Sequence, residues 1–501
     1  MNVQKITKTF NFFNYYSGAA LRNRTINPTL KYNLGLFFLV ILDMFTIAGL
    51  FLLSISIRLK VLPYILSDLP VFRHEFTNYY WILPVWFLIL IYEGAYTKRF
   101  NFWDELKLIV KISILATLVV FTVASIGKLN ASISRFVLLF MLPLSITIFP
   151  AIRMLHKKLL FNIGLLKSKI LIIGAGDTGK LALSALRKDT NLGYEVVGFI
   201  DEDKSLRGSY IDGVKVHNGF KKVEKYLRNC DILEVIIAIP SLNKKKLAKL
   251  VGKLQHKVRR VILIPDLFGM AVLNTEVRHF FSEQTLALEI KNNLSRPIDR
   301  FMKQAIDYFI AIILSVVLLI PITIIALMIR LTSKGKIIFK HKRSGKNGKP
   351  FYCYKFRTMS ADAEERLKEI LENDPLARAE WDEQQKLTKD PRVFRIGNFL
   401  RVTSLDELPQ IFNVLKGEMS LVGPRPVTAE ELKKQYKEDA NLCFSVPPGI
   451  TGLWQVSGRS NTSYKYRISM DSWYVRNWNI WLDLVILLKT VKVVFRKEGA
   501  S

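Results

Sequence analysis

Four apolar runs of about twenty residues, each able to cross a hydrocarbon core of about 30 Å as a helix, occupy the first third of the chain. They are Leu34–Ile57, Tyr79–Tyr96, Leu106–Ile126 and Arg135–Met154. A chain that begins this way must satisfy its backbone hydrogen bonds internally, so its first domain is expected to be a multi-pass α-helical bundle. Asp43 interrupts the first run. An ionisable residue at that depth is either a functional group or a polar contact between packed helices.

Basic flanks set the orientation. Lys5, Lys8, Arg22, Arg24 and Lys31 precede the first run, Lys98 and Arg99 follow the second, and Arg153, Lys157 and Lys158 close the fourth. All fall on one side if the N-terminus is cytoplasmic; Arg58, Lys60 and Arg73 weaken this bias without reversing it. The chain carries a formal net charge of +31 with 50% hydrophobic residues, a pairing that suits a basic surface facing a membrane and not a nucleic acid. Its three cysteines, Cys230, Cys353 and Cys443, are widely spaced, so no disulfide framework or zinc site is expected. The polar, aromatic N-terminal stretch is not a cleavable signal peptide.

A fifth apolar run, Tyr308–Leu331, is long enough to span. Its flanks are basic on both sides (Arg296, Arg300 and Lys303 before; Arg330, Lys334, Lys336, Lys340 and Lys342 after), and Pro321 removes a helical hydrogen bond within it. These features predict a re-entrant hairpin with both ends on the cytoplasmic side, with Asp307 just ahead of it.

Between the fourth and fifth runs strands and helices alternate. Lys169–Ile173 is followed by Gly174-Ala175-Gly176-Asp177-Thr178-Gly179, a helical pattern to Leu186, and a second strand, Val196–Ile200, that ends in Asp201. Val235–Pro240 and Val261–Pro265 read as later strands. This is the order of a dinucleotide-binding fingerprint, with glycines at the turn and an acid for a ribose. It predicts a Rossmann-like domain and leaves two alternatives for it: a site for NAD or another nucleotide, or an empty structural module. A nucleotide-sugar dehydratase or epimerase would also need a Tyr-x-x-x-Lys helix, and residues 180–290 contain none.

From Lys336 onward the chain is dense in Arg, Lys, Gly and Pro. The clusters are Lys342-Arg343-Ser344-Gly345, Lys355-Phe356-Arg357-Thr358-Met359, Arg395-Ile396-Gly397, Leu400-Arg401, Val422-Gly423-Pro424-Arg425-Pro426 and Pro448 to Arg459. Guanidinium forks pair with phosphate and glycines admit close backbone approach, so the clustering points to a diphosphate site. Taken singly, each Arg is as readily a solvated surface charge. Within this stretch lies the acidic pair Asp406-Glu407. Ser404-x-x-Glu407 reads as a capping box opening a helix through Ile411–Leu415, and Asp406 reads equally as a nucleophile held at that helix start.

These motifs resemble the bacterial polyprenyl-phosphate hexose-1-phosphate transferases. Ser404–Gln410, Gly423–Pro426 and Pro448–Gly452 carry the resemblance, which extends over nearly the whole chain. Asn292–Pro297, the acidic insert within Leu371–Arg392, Trp473–Trp478 and the ending Arg496–Ala500 resemble the undecaprenyl-phosphate galactose phosphotransferase subgroup. The resemblance implies that Asp406 attacks the sugar-bearing phosphate of a UDP-sugar, most readily UDP-galactose, or else UDP-glucose or another UDP-hexose. It implies that Glu407 helps Asp406 hold Mg²⁺, or Mn²⁺ in its place, or else orients the acceptor, and that Arg401, Arg425, Arg343, Lys355, Arg357 and Arg459 face phosphate. Undecaprenyl phosphate is the implied acceptor, and the inner membrane of a bacterium, with the active site on the cytoplasmic face, the implied location. Downstream glycosyltransferases are implied partners; a homodimer stays an open alternative. Two positions depart from the family pattern: Gln304 follows Lys303 ahead of Asp307, and Ile320 precedes Pro321. A non-catalytic scaffold for polysaccharide export would not need the acidic pair or the arginine clusters.

The expected organisation is a cytoplasmic segment (1–33), four membrane helices (34–155), a Rossmann-like α/β cytoplasmic domain (156–290), a re-entrant hairpin (291–335) and a mixed, mostly α catalytic domain (336–501). Within the last, Asn479–Phe495 alternates apolar residues with Lys489 and Lys492 beside Trp473, Trp478 and Trp481. It is read either as a helix docked at the headgroup layer or as an ordinary core-facing helix.

Overall fold

The computed structural model describes residues 28–66, 81–126, 134–220, 223–265, 275–280, 285–290, 293–360, 362–375, 378, 387, 390–458 and 463–496. The chain divides into two compact units, Met1–Asp266 and Leu267–Ser501. The division falls ahead of residue 290, so the antiparallel ribbon of β7 (Thr275–Phe280) and β8 (Thr285–Ile290) groups with the second unit.

In the first unit, α1 (Pro28–Ser56), α3 (Phe102–Ile126) and α4 (Arg135–Asn162) are long and apolar enough to cross a membrane. The second expected span differs. Among the described residues it forms only α2 (Ile82–Tyr92), 11 residues or about 16 Å, which stops where Glu93 and Gly94 turn the chain. Residues 79 and 80 of that run lie outside the described residues.

The bundle is apolar outside and charged within. Phe45 is 73% exposed, whereas Asp43 and Arg153 are buried. The Arg153 guanidinium donates from Nη1 to Asp43 and from Nε to Glu105 (2.8 Å), Lys157 pairs with Glu105 (2.8 Å), and the Tyr96 hydroxyl donates to Asp43 (3.1 Å). Asp43 is thus a polar contact between packed helices. The same network continues into the α/β layer, where Asn191 donates to Glu105 and Arg99 pairs with Glu234 at 3.2 Å.

That layer is a six-stranded sheet of order β3-β4-β2-β1-β5-β6. Its strands are β1 (Ser168–Ile173), β2 (Tyr194–Asp201), β3 (Tyr210–Ile211), β4 (Val214–Asn218), β5 (Ile232–Ile237) and β6 (Arg260–Leu263), parallel except for the β3–β4 pair. Helices α5 (Asp177–Lys188), α6 (Val223–Asn229) and α7 (Lys244–Gln255) connect the strands. The fingerprint glycines serve packing: a Cβ on Gly179 would lie 2.1 Å from the Gly174 carbonyl oxygen, and Gly174 has φ +107° with Ala238 O in the way of any side chain. Asp201 accepts from the Ala175 N–H (2.7 Å) and the Asp203 N–H (2.9 Å), so the expected ribose acid braces the glycine turn.

The second unit continues with α8 (Pro297–Val317) and α9 (Leu319–Thr332), bent by 57° at Leu318. Pro321 explains the bend: it has no N–H for the Val317 carbonyl, and its ring crowds that oxygen. Both helices expose large apolar side chains, Val316 and Ile320 at 70% each. The rest of the unit carries the ribbon of β9 (Ile338–Ser344) and β10 (Pro350–Phe356), α10 (Ala363–Asn373), α11 (Arg395–Val402), and a 3-10 turn (Leu405–Gln410) running into α12 (Ile411–Leu415). After these come the short parallel pair β11 (Ser420–Val422) and β12 (Gly449–Thr451), α13 (Leu453–Ser457), α14 (Tyr464–Asn477) and α15 (Ile480–Arg496). One side of α15 is buried through Leu482, Val485 and Ile486, while Leu488 and Val491 are exposed.

Candidate active site

Strand periodicity builds the first wall of the site. In the antiparallel β9–β10 ribbon His341 faces Cys353, Arg343 faces Phe351 and Lys355 faces Phe339. With a period of two, His341, Arg343, Cys353 and Lys355 share one face, and Lys340, Lys342, Tyr352 and Tyr354 share the other. Burial of Phe351 and Cys353 anchors the first face against the core. Both sequence-derived candidates on the ribbon, Arg343 and Lys355, therefore point to the same side.

The acidic pair arrives from the 3-10 turn. Glu407 Oε1 accepts from Lys355 Nζ at 2.7 Å, and Asp406 Oδ2 lies 3.9 Å from the same nitrogen. Arg425 Nη2 approaches Glu407 Oε1 to 3.7 Å from the other side. Arg401, on α11, donates from Nε to the Thr358 hydroxyl at 2.9 Å, which holds its guanidinium near Asp406. The expected capping box is absent. Ser404 has φ 56° and makes no side-chain cap, because it reverses the chain between α11 and the 3-10 turn. A capping serine needs extended backbone, so Glu407 is released to Lys355. The helix start is likewise a short 3-10 turn, and the groups that stabilise the pair are side-chain cations. A true capping box forms instead at Thr428 and Glu431.

Burial pushes the Asp406 carboxyl above its ordinary value, and the negative charge of Glu407 adds to the rise, while Lys355 and Arg401 pull against it. Burial and the neighbouring Arg343 and Lys355 lower the His341 pKa, keeping the imidazole neutral at pH 7. Burial pushes the Cys353 thiol up to about 11, so it is not a nucleophile.

Arg343 lies further along the same face, 3.4 Å from Glu431. Arg357 donates to the Ser333 and Lys334 carbonyls at the end of α9, where it caps the helix. Arg459 lies outside the described residues. The glycines of the two Pro-rich motifs work on backbone packing, since a Cβ on Gly449 would lie 2.1 Å from Gly423 N. That close crossing of β11 and β12 aims Arg425, which follows β11 directly. Asp307, on α8, accepts from the Ser420 hydroxyl at 2.6 Å and ties the bent helix pair to β11.

Three groups were missed in the sequence: Thr358, which orients Arg401, and Arg467 and Asp471, which meet Tyr436. Only the i, i+4 spacing of Arg467 and Asp471 signals a pair.

An adjacent pair of carboxylates, one raised in pKa and both faced by cations from separate elements, is equipped to exchange a phosphoryl group. The chain belongs to the bacterial sugar transferases, the family of polyprenyl-phosphate hexose-1-phosphate transferases; residues 298–497 match the family described as Bacterial sugar transferase. Residues 94–265 match one described as CoA-binding domain. Among relatives, the chain is 40% identical over 421 residues to the undecaprenyl-phosphate galactose phosphotransferase of Salmonella typhimurium, covering 83% of this chain and 86% of that protein. It is 38% identical to the UDP-galactose-lipid carrier transferase of Erwinia amylovora, with 83% and 86% covered. It is 33% identical to the UDP-glucose:undecaprenyl-phosphate glucose-1-phosphate transferase of Escherichia coli, with 68% and 70% covered.

Proposed function

We propose that this protein transfers a hexose-1-phosphate, galactose-1-phosphate in the first instance, from a UDP-sugar to undecaprenyl phosphate. The observation that carries the reading is Asp406 beside Glu407, faced by Lys355, Arg401 and Arg425 from three different elements. An Asp406 oxygen attacks the phosphorus that bears the sugar. The bridging P–O bond breaks, and its electron pair leaves on the phosphate of UMP. The resulting sugar-phosphoryl-aspartate is attacked by an oxygen of undecaprenyl phosphate, which frees Asp406 and yields the lipid diphosphate sugar. Glucose as the sugar is the alternative, supported by the name of the Escherichia coli relative.

Among the described residues no group of three or more His, Cys, Asp or Glu could hold a metal ion. Two carboxylates nevertheless fit Mg²⁺, which takes one or two protein carboxylates and completes its shell with water and substrate phosphate. Asp406 and Glu407 would hold it, and Mn²⁺ would fit the same oxygen donors. When bound, the ion neutralises charge on the phosphate oxygens. The chain's own residues position and pair: Arg401 and Arg425 bind phosphate oxygens, and Lys355 holds Glu407 and keeps Asp406 ionised.

In this reading α1, α3 and α4 each cross the inner membrane, the apolar run 79–96 that contains the short α2 supplies a fourth crossing, and the bent α8–α9 pair enters and leaves on the cytoplasmic side, leaving Asp406 where UDP-sugars are made. The bend, the exposed apolar surface on both helices and the basic flanks support it. The sequence-derived boundaries at 155 and 335 stand as proposed domain limits, the α/β domain is proposed to end near 266 in place of 290, and it is proposed as a structural module.

Two experiments test the proposal. With undecaprenyl phosphate in nanodiscs and a panel of UDP-sugars, UMP release and a covalent sugar-phosphate adduct are expected from the wild type, and neither from Asp406→Asn. An adduct surviving in Asp406→Asn would remove Asp406 as nucleophile. Single cysteines placed just before residue 308 and just after residue 331 should both resist an impermeant reagent in spheroplasts and react after permeabilisation. Labelling of the second from outside would make the pair a spanning helix.

A further inference from the structure

Arg467, on α14, is 8% exposed, and its Nε and Nη2 nitrogens are buried with no hydrogen-bond acceptor among the described residues. Its guanidinium is walled by aromatic rings, 5.0 Å from both Trp454 and Tyr464 and 6.0 Å from Tyr436. Asp471 is 4.0 Å from Nε, too far for a hydrogen bond, and its Oδ2 accepts from the Tyr436 hydroxyl at 2.8 Å. The Tyr464 hydroxyl is also buried without a partner among the described residues. Burial raises the pKa of that hydroxyl, so it remains a donor. Two buried donor groups side by side with nothing to receive their protons are a costly arrangement that native proteins keep for a ligand or a bound ion.

The charges around them name the ligand. Arg343 experiences both Arg425 and Arg467 as like charges, and Asp471 experiences Arg425, so three guanidiniums converge here. The acids on this side are Glu431, paired with Arg343 at 3.4 Å, and Asp471, which burial pushes up to about 6 and whose Oδ2 is taken by the Tyr436 hydroxyl. Arg425 connects this cluster to the acidic pair, since it also approaches Glu407 to 3.7 Å. The cations nearest Asp406 itself are Lys355 and Arg401. Resting on the transferase reading above, we propose that Arg467 and Tyr464, beside Arg343 and Arg425, form a second anion subsite that holds the phosphate departing with the nucleoside. The attacked phosphate sits over Asp406 between Lys355 and Arg401. The neighbouring phosphate of the same diphosphate reaches past Arg425 to the buried N–H and O–H donors, where its charge is neutralised as the bridging bond breaks.

The test uses the full chain in nanodiscs with UMP as the probe. Arg467→Met keeps an apolar stem among the rings and removes the charge; Tyr464→Phe removes only the hydroxyl. For Arg467→Met the UMP dissociation constant and the KM for UDP-galactose are expected to rise about tenfold or more. For Tyr464→Phe the UMP dissociation constant is expected to rise about fivefold, the loss of one neutral donor. In both variants the KM for undecaprenyl phosphate and the melting temperature without nucleotide should stay as in the wild type, and Arg467→Lys should recover part of the UMP affinity. Unchanged UMP affinity in either folded variant overturns the subsite. So does a joint loss of UMP affinity, lipid-substrate affinity and melting temperature in Arg467→Met, which is the signature of a structural pillar. If Arg467→Met does not fold, Tyr464→Phe decides the matter alone. Failure of the transferase reading looks different: the wild type would release no UMP from any UDP-sugar, whatever the variants bind.

Discussion

Lys355→Met tests the electrostatic logic of the acidic pair. Asp406 must be ionised to attack phosphorus, yet burial and Glu407 both raise its pKa, and the Lys355 ammonium is the main group opposing them. At the observed 3.9 Å, unit charges in an effective dielectric of about 20 interact by roughly 4 kcal/mol, a ceiling of about three pKa units. The Lys355 side chain is 25% exposed and lies closer to Glu407, at 2.7 Å, so solvent and the competing acid hold the share reaching Asp406 below that ceiling. Methionine also takes away the nearer cation facing Glu407 and leaves Arg425 at 3.7 Å, which moves Asp406 the same way. Below its pKa Asp406 is protonated and inert, so the acid limb of kcat/KM for the UDP-sugar should move to higher pH in Lys355→Met. UMP release is measured at limiting UDP-sugar across the acid range for both proteins, and the limb position is read separately from the plateau height. An acid limb that stays in place, or moves to lower pH, would show that Lys355 does not control the ionisation of the nucleophile.

Arg401→Ala and Arg425→Ala should each lower kcat/KM by about tenfold or more through lost charge pairing with phosphate, and near-normal rates in folded protein would make them surface charges. Gly179→Ala forces a methyl against the Gly174 carbonyl and should destabilise the α/β layer by about 1–3 kcal/mol. Hydrogen exchange across β1 and β2 reads that loss, and unchanged protection would refute the packing role given to the fingerprint.

Elements set by local periodicity were legible in the sequence. The strands expected at 169–173, 196–200 and 235–240 are seen at Ser168–Ile173, Tyr194–Asp201 and Ile232–Ile237, because continuous apolar runs bounded by glycine or acid leave little choice. The bend between α8 and α9 was legible through Pro321. Elements that depend on what the backbone does next were not. The Ser404-x-x-Glu407 spacing fits a capping box, but the serine sits in the left-handed region, and nothing within four residues announces it. Arg357 occurs in a cluster with Lys355, two positions along the same strand direction, yet it lies past the end of β10 and turns to the end of α9. The surroundings of Arg467 are assembled from Tyr436, Trp454 and Asp471, which no local pattern joins.

The bent helix pair does more than anchor the second unit. Lys303, one turn ahead of Asp307 on α8, donates to the Val422 carbonyl at 3.1 Å and pairs with Asp483 of α15 at 2.8 Å. The Tyr474 hydroxyl, from α14, donates to Asp483 at 2.7 Å with its oxygen 3.0 Å from the same Val422 carbonyl, and the Trp478 indole completes the set at 2.9 Å from Asp483. Val422 ends β11, and Gly423, Pro424 and Arg425 follow it. The carbonyl that fixes where Arg425 begins is therefore held by one lysine from α8, which shares the Asp483 carboxylate of α15 with a tyrosine and a tryptophan. Removing one partner from a buried, hydrogen-bonded ion pair costs about 3–5 kcal/mol, so these three helices and β11 are fixed as a single rigid frame. Two sequence features find their reasons there. Lys303 supplies the contact to β11, and Gln304 beside it lines the small cavity at Gly417 and Ser420. The run Asp471 to Trp478 is dense in polar and aromatic groups because Tyr474 and Trp478 must meet Asp483 while Asp471, one turn earlier, serves Tyr436. The start of the segment that carries Arg425, the arginine proposed to bind the diphosphate, is thus fixed by side chains of α8, α14 and α15.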